Sequence, residues 1–123
     1  MNEEQFEGWL KKLQDAWQTL NPDAAASLCA ENVVYYEDPL EPPHQGRDAV
    51  RVIWKDVPTS QKDVQMTYKI LMLQGNTAII HWHATFIRIP SNIKAVLDGI
   101  YRITLDTEAL CSEFHQWWNN KTL

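Results

Sequence analysis

Apolar residues recur at two spacings along this chain of 123 residues, and the change of spacing separates helices from strands. In the first half they stand three or four positions apart, which places them on one face of a helix. From about Asp63 onward they alternate with polar residues, which is typical of strands with one buried face. The pattern therefore predicts a helical first half followed by a run of strands.

Two helices are predicted before residue 31. The apolar stripe of the first consists of Phe6, Leu10, Leu13, Trp17 and Leu20. Asn2 followed by Gln5 fits a capping box at its start. The second helix begins at the cap residue Asn21, has Pro22 at its first helical position, and runs to about Ala30.

A short strand, a proline-rich loop and a third helix follow. The strand is Asn32–Glu37, because β-branched and aromatic residues favour the pleated conformation. The segment 38–46 holds three of the six prolines and is expected to be an irregular loop. The third helix is predicted from Arg47 to about Val57, with Pro58 just past its end.

The strands after residue 63 are expected to form two hairpins. The first hairpin has inward-facing sets of Val64, Met66, Tyr68, Ile70 and Met72 in one strand and Ala78, Ile80, Trp82, Ala84 and Phe86 in the next. These sets meet if a three-residue loop, Gln74–Asn76, joins the strands. Met72 then faces Ala78, Tyr68 faces Trp82, and Met66 faces Ala84. A longer connection over residues 90–96 leads to the second hairpin.

The second hairpin covers residues 98–119 and has two different faces. If Leu105 pairs with Leu110 across the turn, Tyr101 faces Phe114 and Leu97 faces Trp118, which gives one apolar face with a phenol at its centre. The opposite side, here called the outer face, carries Asp98, Ile100, Arg102, Thr104, Glu113, His115 and Trp117. Helices on one face of a curved antiparallel sheet predict an α+β architecture, in a single domain over residues 1–123.

Composition narrows the possible partners. The net charge of -5 and the pI near 5.2 argue against nucleic-acid binding, which needs a clustered basic surface. No apolar run is long enough for a membrane span, and the amphipathic N-terminal residues do not resemble a signal peptide, so a cytoplasmic protein is expected. Cys29 and Cys111 are too few for a disulfide framework and are interpreted as small buried apolar residues.

The order of elements, with Glu37-Asp38-Pro39 ending the first strand, a loop to Gly46 and a final strand from Phe114 to Trp118, resembles the nuclear transport factor 2-like superfamily. Within it the chain is most similar to the SnoaL-like and ketosteroid-isomerase-like branch. The resemblance implies a curved sheet wrapped by the three helices into an open cone, with a pocket at the wide end. This fold serves isomerases, cyclases, dehydratases, epoxide hydrolases and non-catalytic binding modules, so it does not decide the function.

The resemblance implies a catalytic role for Asp38, because the aspartate of a Glu-Asp-Pro sequence is the general base of the isomerases. The interpretation requires Asp38 to point the same way as Val34 and Tyr36, into an apolar cavity that would raise its pKa. The alternative is a turn aspartate that binds its own backbone before Pro39. His44, in the same loop, is either a proton shuttle to Asp38 or a solvated loop histidine.

The residues that stabilise the oxyanion in the isomerases are not retained. Tyr101 stands where the family has a protonated aspartate, and Gln14 stands where it has a tyrosine. Tyr101 is therefore the second catalytic candidate, as a donor to a developing oxyanion, and Gln14 is a weaker one. Steroid isomerisation itself is not expected.

An aromatic pocket is predicted for a small hydrophobic molecule. Its expected lining is Trp17, Tyr68, Trp82, Phe86 and Trp118, with Gln14 and His44 as further substrate contacts. Such a lining suits a flat or cyclic apolar ligand, although the same rings would also fill the cone as an ordinary core. No cofactor is expected.

Three histidines belong to the outer face. His81 and His83 have a spacing that can chelate a metal, but the strand that holds residues 97–105 should separate them from His115, and no acidic residue forms a recognisable metal motif with the pair. We therefore expect no metal, and predict a homodimer interface that includes Ile100, Arg102, His115 and Trp117.

Two functions remain open from the sequence. The first is a cofactor-independent isomerase, cyclase or dehydratase for a small apolar carbonyl compound, with Asp38 as base and Tyr101 as donor. The second is a non-catalytic dimeric domain that binds a small molecule or serves association alone.

Overall fold

A computed structural model describes residues 2–123 and contains four helices and six strands within that range. The helices are α1 (Glu3–Gln18), α2 (Pro22–Ser27), α3 (Arg47–Trp54) and α4 (Val57–Ser60). The strands are β1 (Cys29–Tyr36), β2 (His44–Gln45), β3 (Gln61–Gln74), β4 (Thr77–Arg88), β5 (Lys94–Leu105) and β6 (Cys111–Thr122). The α+β class expected from the sequence is confirmed.

The strands form one sheet in the order β2-β1-β6-β5-β4-β3. Neighbouring strands are antiparallel except for β1 and β6, which run parallel and place Tyr35 opposite Phe114. The sheet is curved and unclosed, with β2 and β3 as its edges. The order also confirms that β5 separates β4, with His81 and His83, from β6, with His115.

The predicted helix starts are confirmed, and the predicted ends are not. Asn2 and Gln5 form the reciprocal capping box, and Asn21 caps α2 by accepting from the Ala24 N–H. However, α2 ends at Ser27 rather than near Ala30. Tertiary contacts end the helix there. The next residues join β1, and the Leu28 carbonyl accepts the Cys111 N–H of β6 at 2.9 Å.

The third helix ends at Trp54, three residues earlier than expected. Pro58 is the cause, since a proline inside a helix lacks the N–H and its ring would clash with the carbonyl four residues before it, here that of Trp54. Pro58 instead lies in the first turn of the separate helix α4, where a missing N–H costs nothing. The protein therefore has a short fourth helix that the sequence analysis did not predict.

The turn and the end of the first hairpin differ from prediction. A two-residue turn, Gly75-Asn76 with Gly75 at φ +61°, replaces the expected three-residue loop. An irregularity in β3 between Ile70 and Met72 restores the inward set, so that Leu73 and not Met72 lies opposite Ala78. Met72 is consequently exposed rather than buried. The other two predicted pairs, Tyr68 with Trp82 and Met66 with Ala84, are confirmed.

The second hairpin is shifted by two residues from the predicted register. Tyr101 lies opposite Gln116, and Leu97 lies opposite Asn120. The shift arises at the turn, where the Asp106 carboxylate accepts the Glu108 and Leu110 N–H groups, and at an irregularity in β6 next to Cys111. A shift by two keeps every side chain on its predicted face.

Two connections are more regular than expected. His44 and Gln45 of the proline-rich loop pair with Tyr35 and Val34 as the edge strand β2. The last hairpin begins at Lys94, inside the connection expected over residues 90–96, and extends to Thr122. Both cysteines are buried and free, as predicted.

Candidate functional site

A cavity of about 260 Å³ lies between the curved sheet and the helices that cover it. Here it is called the aromatic cavity. Its lining residues come from α1, α3, α4 and five strands: Trp17, Tyr35, Glu37, Ile53, Trp54, Asp56, Val57, Ser60, Gln61, Trp82, Phe86, Arg88, Leu97, Tyr101, Gln116 and Trp118. Most of the lining is apolar, and the polar groups lie toward two ends of the sheet.

Tryptophan rings form the centre of the cavity wall. Trp17 of α1 meets Trp54 of α3 edge to face at 6.0 Å between ring centroids, and lies 5.9 Å from Trp82 of β4. Trp82 in turn stacks on Tyr101 of β5 at 5.0 Å, with 12° between the ring planes. Flat, rigid rings of this kind form a surface that fits a planar or cyclic ligand.

Two donors belong to this aromatic wall. Burial raises the pKa of Tyr101, so that its hydroxyl keeps its proton throughout the neutral range. The buried indole Nε1 of Trp82 has no hydrogen-bond partner within residues 2–123. Native proteins usually satisfy such groups, and an unpaired buried donor costs about 1–3 kcal/mol.

Two acidic residues belong to the lining, Asp56 before α4 and Glu37 immediately after β1. Glu37 is held in place by its backbone. Its backbone carbonyl accepts hydrogen bonds from Gln116 Nε2 at 2.8 Å and Trp118 Nε1 at 3.4 Å. These bonds fix Glu37 against β6 although the residues are 79 and 81 positions apart in sequence. Its Oε2 lies 3.5 Å from Nε2 of His44, and about half of each side chain is exposed.

Asp38 is outside the cavity lining, and its expected orientation is wrong. Val33 and Tyr35 are the buried residues of β1, whereas Val34 and Tyr36 are only partly buried and belong to the other face. The Asp38 carboxylate instead accepts the Leu40 N–H at 2.8 Å, which is the turn arrangement considered as the alternative. His44 pairs with Glu37 and not with Asp38.

The other predicted site residues divide into two groups. The lining includes Trp17, Trp82, Phe86, Tyr101 and Trp118, as expected. Gln14 does not contribute, because its side-chain amide donates to the Met66 carbonyl at 2.6 Å and so ties α1 to β3. Tyr68 packs against the core away from the lining, and burial, with Glu7 nearby, raises its pKa.

Several lining residues carry only weak signals in the sequence. For Trp54 the available signal was helical spacing, which puts it on one apolar face of the third helix with Val50, Ile53 and Val57. For Tyr35 and Glu37 the only signal was strand parity, which two successive tyrosines leave ambiguous. Arg88 and Gln61 lie at directly paired positions of β4 and β3, which requires the correct register to recognise.

On the outer face, Asp98 of β5 lies beside the two histidines of β4. Its two carboxylate oxygens lie 2.9 Å from His81 Nε2 and 3.0 Å from His83 Nδ1. Hydrogen bonds from these imidazoles lower the pKa of Asp98. No group of three or more His, Cys, Asp or Glu side chains suited to a metal ion is found among residues 2–123.

The outer face also carries a row of stacked rings. His115 stacks on Tyr36 at 4.2 Å between centroids and on Trp117 at 5.9 Å. His115 Nε2 lies 2.9 Å from a Glu113 oxygen and 3.0 Å from Arg102. Trp117 is 42% exposed, which leaves a large apolar ring at the end of the row.

None of the helices in residues 2–123 combines the length and the apolar character that crossing a bilayer requires.

A curved, open sheet covered by helices, with a cavity between them, defines the nuclear transport factor 2-like class of α+β proteins. The chain belongs to the SnoaL-like domain family, whose model matches residues 10–112. No curated protein matches it closely enough to add a relative of established function.

Solved structures share this fold at low sequence identity. SalBIII, described as an epoxide hydrolase/cyclase-like enzyme in pyran ring formation of the polyether salinomycin, has a TM-score of 0.81 at 18% identity, over 97% of this chain and 95% of that chain. A Bacillus subtilis protein described as a candidate isomerase has a TM-score of 0.80 at 20% identity, over 97% and 90%. A nuclear transport factor 2-like protein of unknown function from Exiguobacterium sp. 255-15 has a TM-score of 0.75 at 15% identity, over 90% and 98%. At these identities the likeness establishes the fold alone.

Proposed function

We propose that the protein is a cofactor-independent acid–base catalyst for a small cyclic or aromatic carbonyl compound, with Glu37 rather than Asp38 as the general base. The single observation that carries the proposal is that Glu37 and Tyr101 line the same aromatic cavity. Asp38 uses its carboxylate in a turn, as described above.

The proposed step is a proton transfer next to a carbonyl group. Glu37 removes a proton from the carbon beside the carbonyl, and the electron pair of the broken C–H bond moves onto the carbonyl oxygen. The neutral Tyr101 hydroxyl donates a hydrogen bond to that oxygen as negative charge develops. In a substrate with a neighbouring C=C bond, return of the proton from Glu37 to the far carbon of the dienolate gives isomerisation. Attack of the enolate carbon on a second carbonyl group of the same molecule, whose oxygen then takes the proton from Glu37, gives cyclisation.

His44 is the route by which the Glu37 proton exchanges with solvent in this proposal. Its imidazole lies 3.5 Å from the Glu37 carboxylate and is partly exposed. An imidazole can accept a proton on one nitrogen and donate from the other, which suits a shuttle between the cavity and water. The descriptions of SalBIII as cyclase-like and of the Bacillus subtilis protein as an isomerase support this reaction class by analogy of fold.

The test is exchange of carbon-bound protons in D₂O, followed by NMR over a panel of cyclic and aryl ketones. We expect exchange above the buffer rate with the unmodified protein, and a loss of about 10²–10⁴-fold in Glu37→Gln, the usual contribution of a general base. Asp38→Asn is the matched control, since it removes the adjacent carboxylate. Activity that survives Glu37→Gln and disappears in Asp38→Asn would reassign the base to Asp38.

The second candidate is a domain that binds the same class of ligand without catalysis. The exposure of Glu37 favours it, because 47% of its side chain is exposed, whereas desolvation would make a carboxylate a stronger base. A compound that binds with a defined stoichiometry but undergoes no exchange in D₂O would establish this alternative. Mass spectrometry of small molecules that copurify with the protein would identify the compound in either case.

We also propose that the protein forms a homodimer through the outer face, with Ile100, Arg102, His115 and Trp117 in the interface. The exposed Trp117 ring and the stacked row behind it support the proposal, since large apolar groups in a patch commonly mark contacts. Trp117→Asp should yield monomers in sedimentation velocity. Val52→Asp, at an exposed apolar position of α3, is the control; an unchanged dimer in Trp117→Asp would contradict the assignment.

A further inference from the structure

One end of the aromatic cavity presents unused hydrogen-bond donors. Gln61 of β3 and Arg88 of β4 occupy directly paired positions, and both line the cavity. Trp17 Nε1 donates to Gln61 Oε1 at 2.8 Å. Because an indole nitrogen can only donate, this bond fixes the orientation of the Gln61 amide and leaves its NH₂ group as the free end.

Arg88 adds a cation to these donors. Its guanidinium carbon lies 5.3 Å from the centroid of the Phe86 ring, so the side chain extends along the cavity wall. No carboxylate of residues 2–123 approaches its guanidinium within 4.0 Å, and none of the guanidinium N–H groups donates a hydrogen bond to those residues. Gln61 and Arg88 are together called the donor end.

Two acidic residues, Glu37 and Asp56, also line the cavity, and their negative charge would repel a bound anion. Glu37 follows β1, which is three strands away from β4, or roughly 14 Å along the sheet at about 4.8 Å per strand. Asp56 is nearer, because Ser60 links it to the donor end: Ser60 Oγ donates to the Asp56 carbonyl, and the Ser60 carbonyl accepts the Ile89 N–H. Asp56 therefore weakens an anion site at the donor end without forming an ion pair with Arg88.

We propose that the donor end binds the carboxylate of the ligand, and that the ligand is a small cyclic or aromatic carboxylic acid. This inference rests on the proposed function, since it concerns a ligand in the same cavity. The ring of the acid packs between Trp17, Trp54 and Trp82, and its carboxylate accepts from Arg88 and from the Gln61 amide. The planar guanidinium matches a carboxylate with two parallel hydrogen bonds, which a neutral amide cannot reproduce because it offers one oxygen.

The test compares acids with their own primary amides by isothermal titration calorimetry. The probes are phenylacetate, cyclohexylacetate and naphthalene-1-acetate, each with the corresponding amide. In the unmodified protein we expect at least one acid to bind about ten-fold or more tightly than its amide, as charge-assisted hydrogen bonds predict. Arg88→Gln should remove this preference and leave the affinity for the amide nearly unchanged.

Two further variants separate the site from general charge effects. Lys62→Gln removes one positive charge at the exposed residue next to Gln61, outside the lining, and should keep the preference for the acid. Asp56→Asn removes the nearby opposing carboxylate and should strengthen binding of the acid alone. An equal effect of Lys62→Gln and Arg88→Gln would overturn the assignment.

The outcomes distinguish this inference from the function on which it rests. Equal binding of acid and amide would overturn the carboxylate site and leave the cavity as the ligand site. Absence of binding by all six probes, together with no proton exchange on the ketone panel, would overturn both. A preference for the acid that persists in Arg88→Gln would also refute the role of the donor end.

Discussion

A methyl group added at Gly99 of β5 should strongly lower the stability of the protein. Gly99 lies opposite Trp118 of β6, and a Cβ built on it would overlap the Trp117 carbonyl oxygen and approach Trp118 Cβ at 2.9 Å and Trp118 Cα at 3.0 Å. Carbon atoms prefer about 3.5–4.0 Å, so the two strands would have to separate by about 0.6 Å or more. Most of the obstructing atoms are backbone, which cannot move aside as a side chain can.

We expect Gly99→Ala to lower the free energy of unfolding by about 1–3 kcal/mol, the usual cost of overpacking. Urea denaturation followed by tryptophan fluorescence measures the change. With a slope near 2 kcal/mol per molar urea, the midpoint should fall by about 0.5–1.5 M. Since Trp118 lines the aromatic cavity, ligand affinity should fall in the same variant.

Gly8→Ala is the matched control for this experiment. Gly8 lies on the exposed side of α1, and an added Cβ would meet no atom within 4 Å. Alanine there should raise the stability by about 0.5–1 kcal/mol, because glycine is unfavourable within a helix. A Gly99→Ala variant as stable as the unmodified protein would show that β5 and β6 accommodate the added methyl group without strain.

Three further predictions concern the outer face and the buried rings. Asp98→Asn should be less stable than the unmodified protein at neutral pH. This difference in stability should shrink as the pH falls through the pKa of Asp98, which is lowered below its ordinary value of 3.8. Urea midpoints measured against pH test this. Tyr35 and Tyr101, two of the four tyrosines, should not ionise in an absorbance titration until the protein unfolds, and stability should decline as the pH rises above about 10, the unfolded pKa. Trp9→Phe should cost about 1 kcal/mol more than Trp82→Phe in urea denaturation, because Trp9 loses a buried hydrogen bond and Trp82 has none to lose; equal costs would contradict this.

The fold was predictable because its signals are local and repeated. Capping residues marked the starts of α1 and α2, and alternation through Val64–Ile70 and Ile80–Phe86 marked β3 and β4. The apolar run Ile70–Leu73 shows where such signals end. Four successive apolar residues carry no alternation, so nothing in them indicates which one is the extra residue.

The register errors had unequal consequences for the site. A shift of two residues between β5 and β6 changed every partner but no face, and so Tyr101 stayed in the cavity as predicted. In β1 the error was a single residue, and in a strand a single residue exchanges the two faces. Glu37, and not the expected Asp38, therefore lines the cavity, and the Asp38 carboxylate lies in the turn.

The parity of β1 could not be resolved from its own residues. Tyr35 and Tyr36 are equally suited to either face, and only their neighbours in space decide between them. Tyr35 stacks on Phe114 at 4.3 Å in the core, and Tyr36 stacks on His115 at 4.2 Å on the outer face. Both contacts depend on the parallel pairing of β1 with β6, which brings together residues about 80 positions apart. The chemistry proposed for the cavity depends on which of the two carboxylates after Tyr36 faces inward. The long-range pairing that orients Tyr35 and Tyr36 therefore also selects Glu37 as the candidate base.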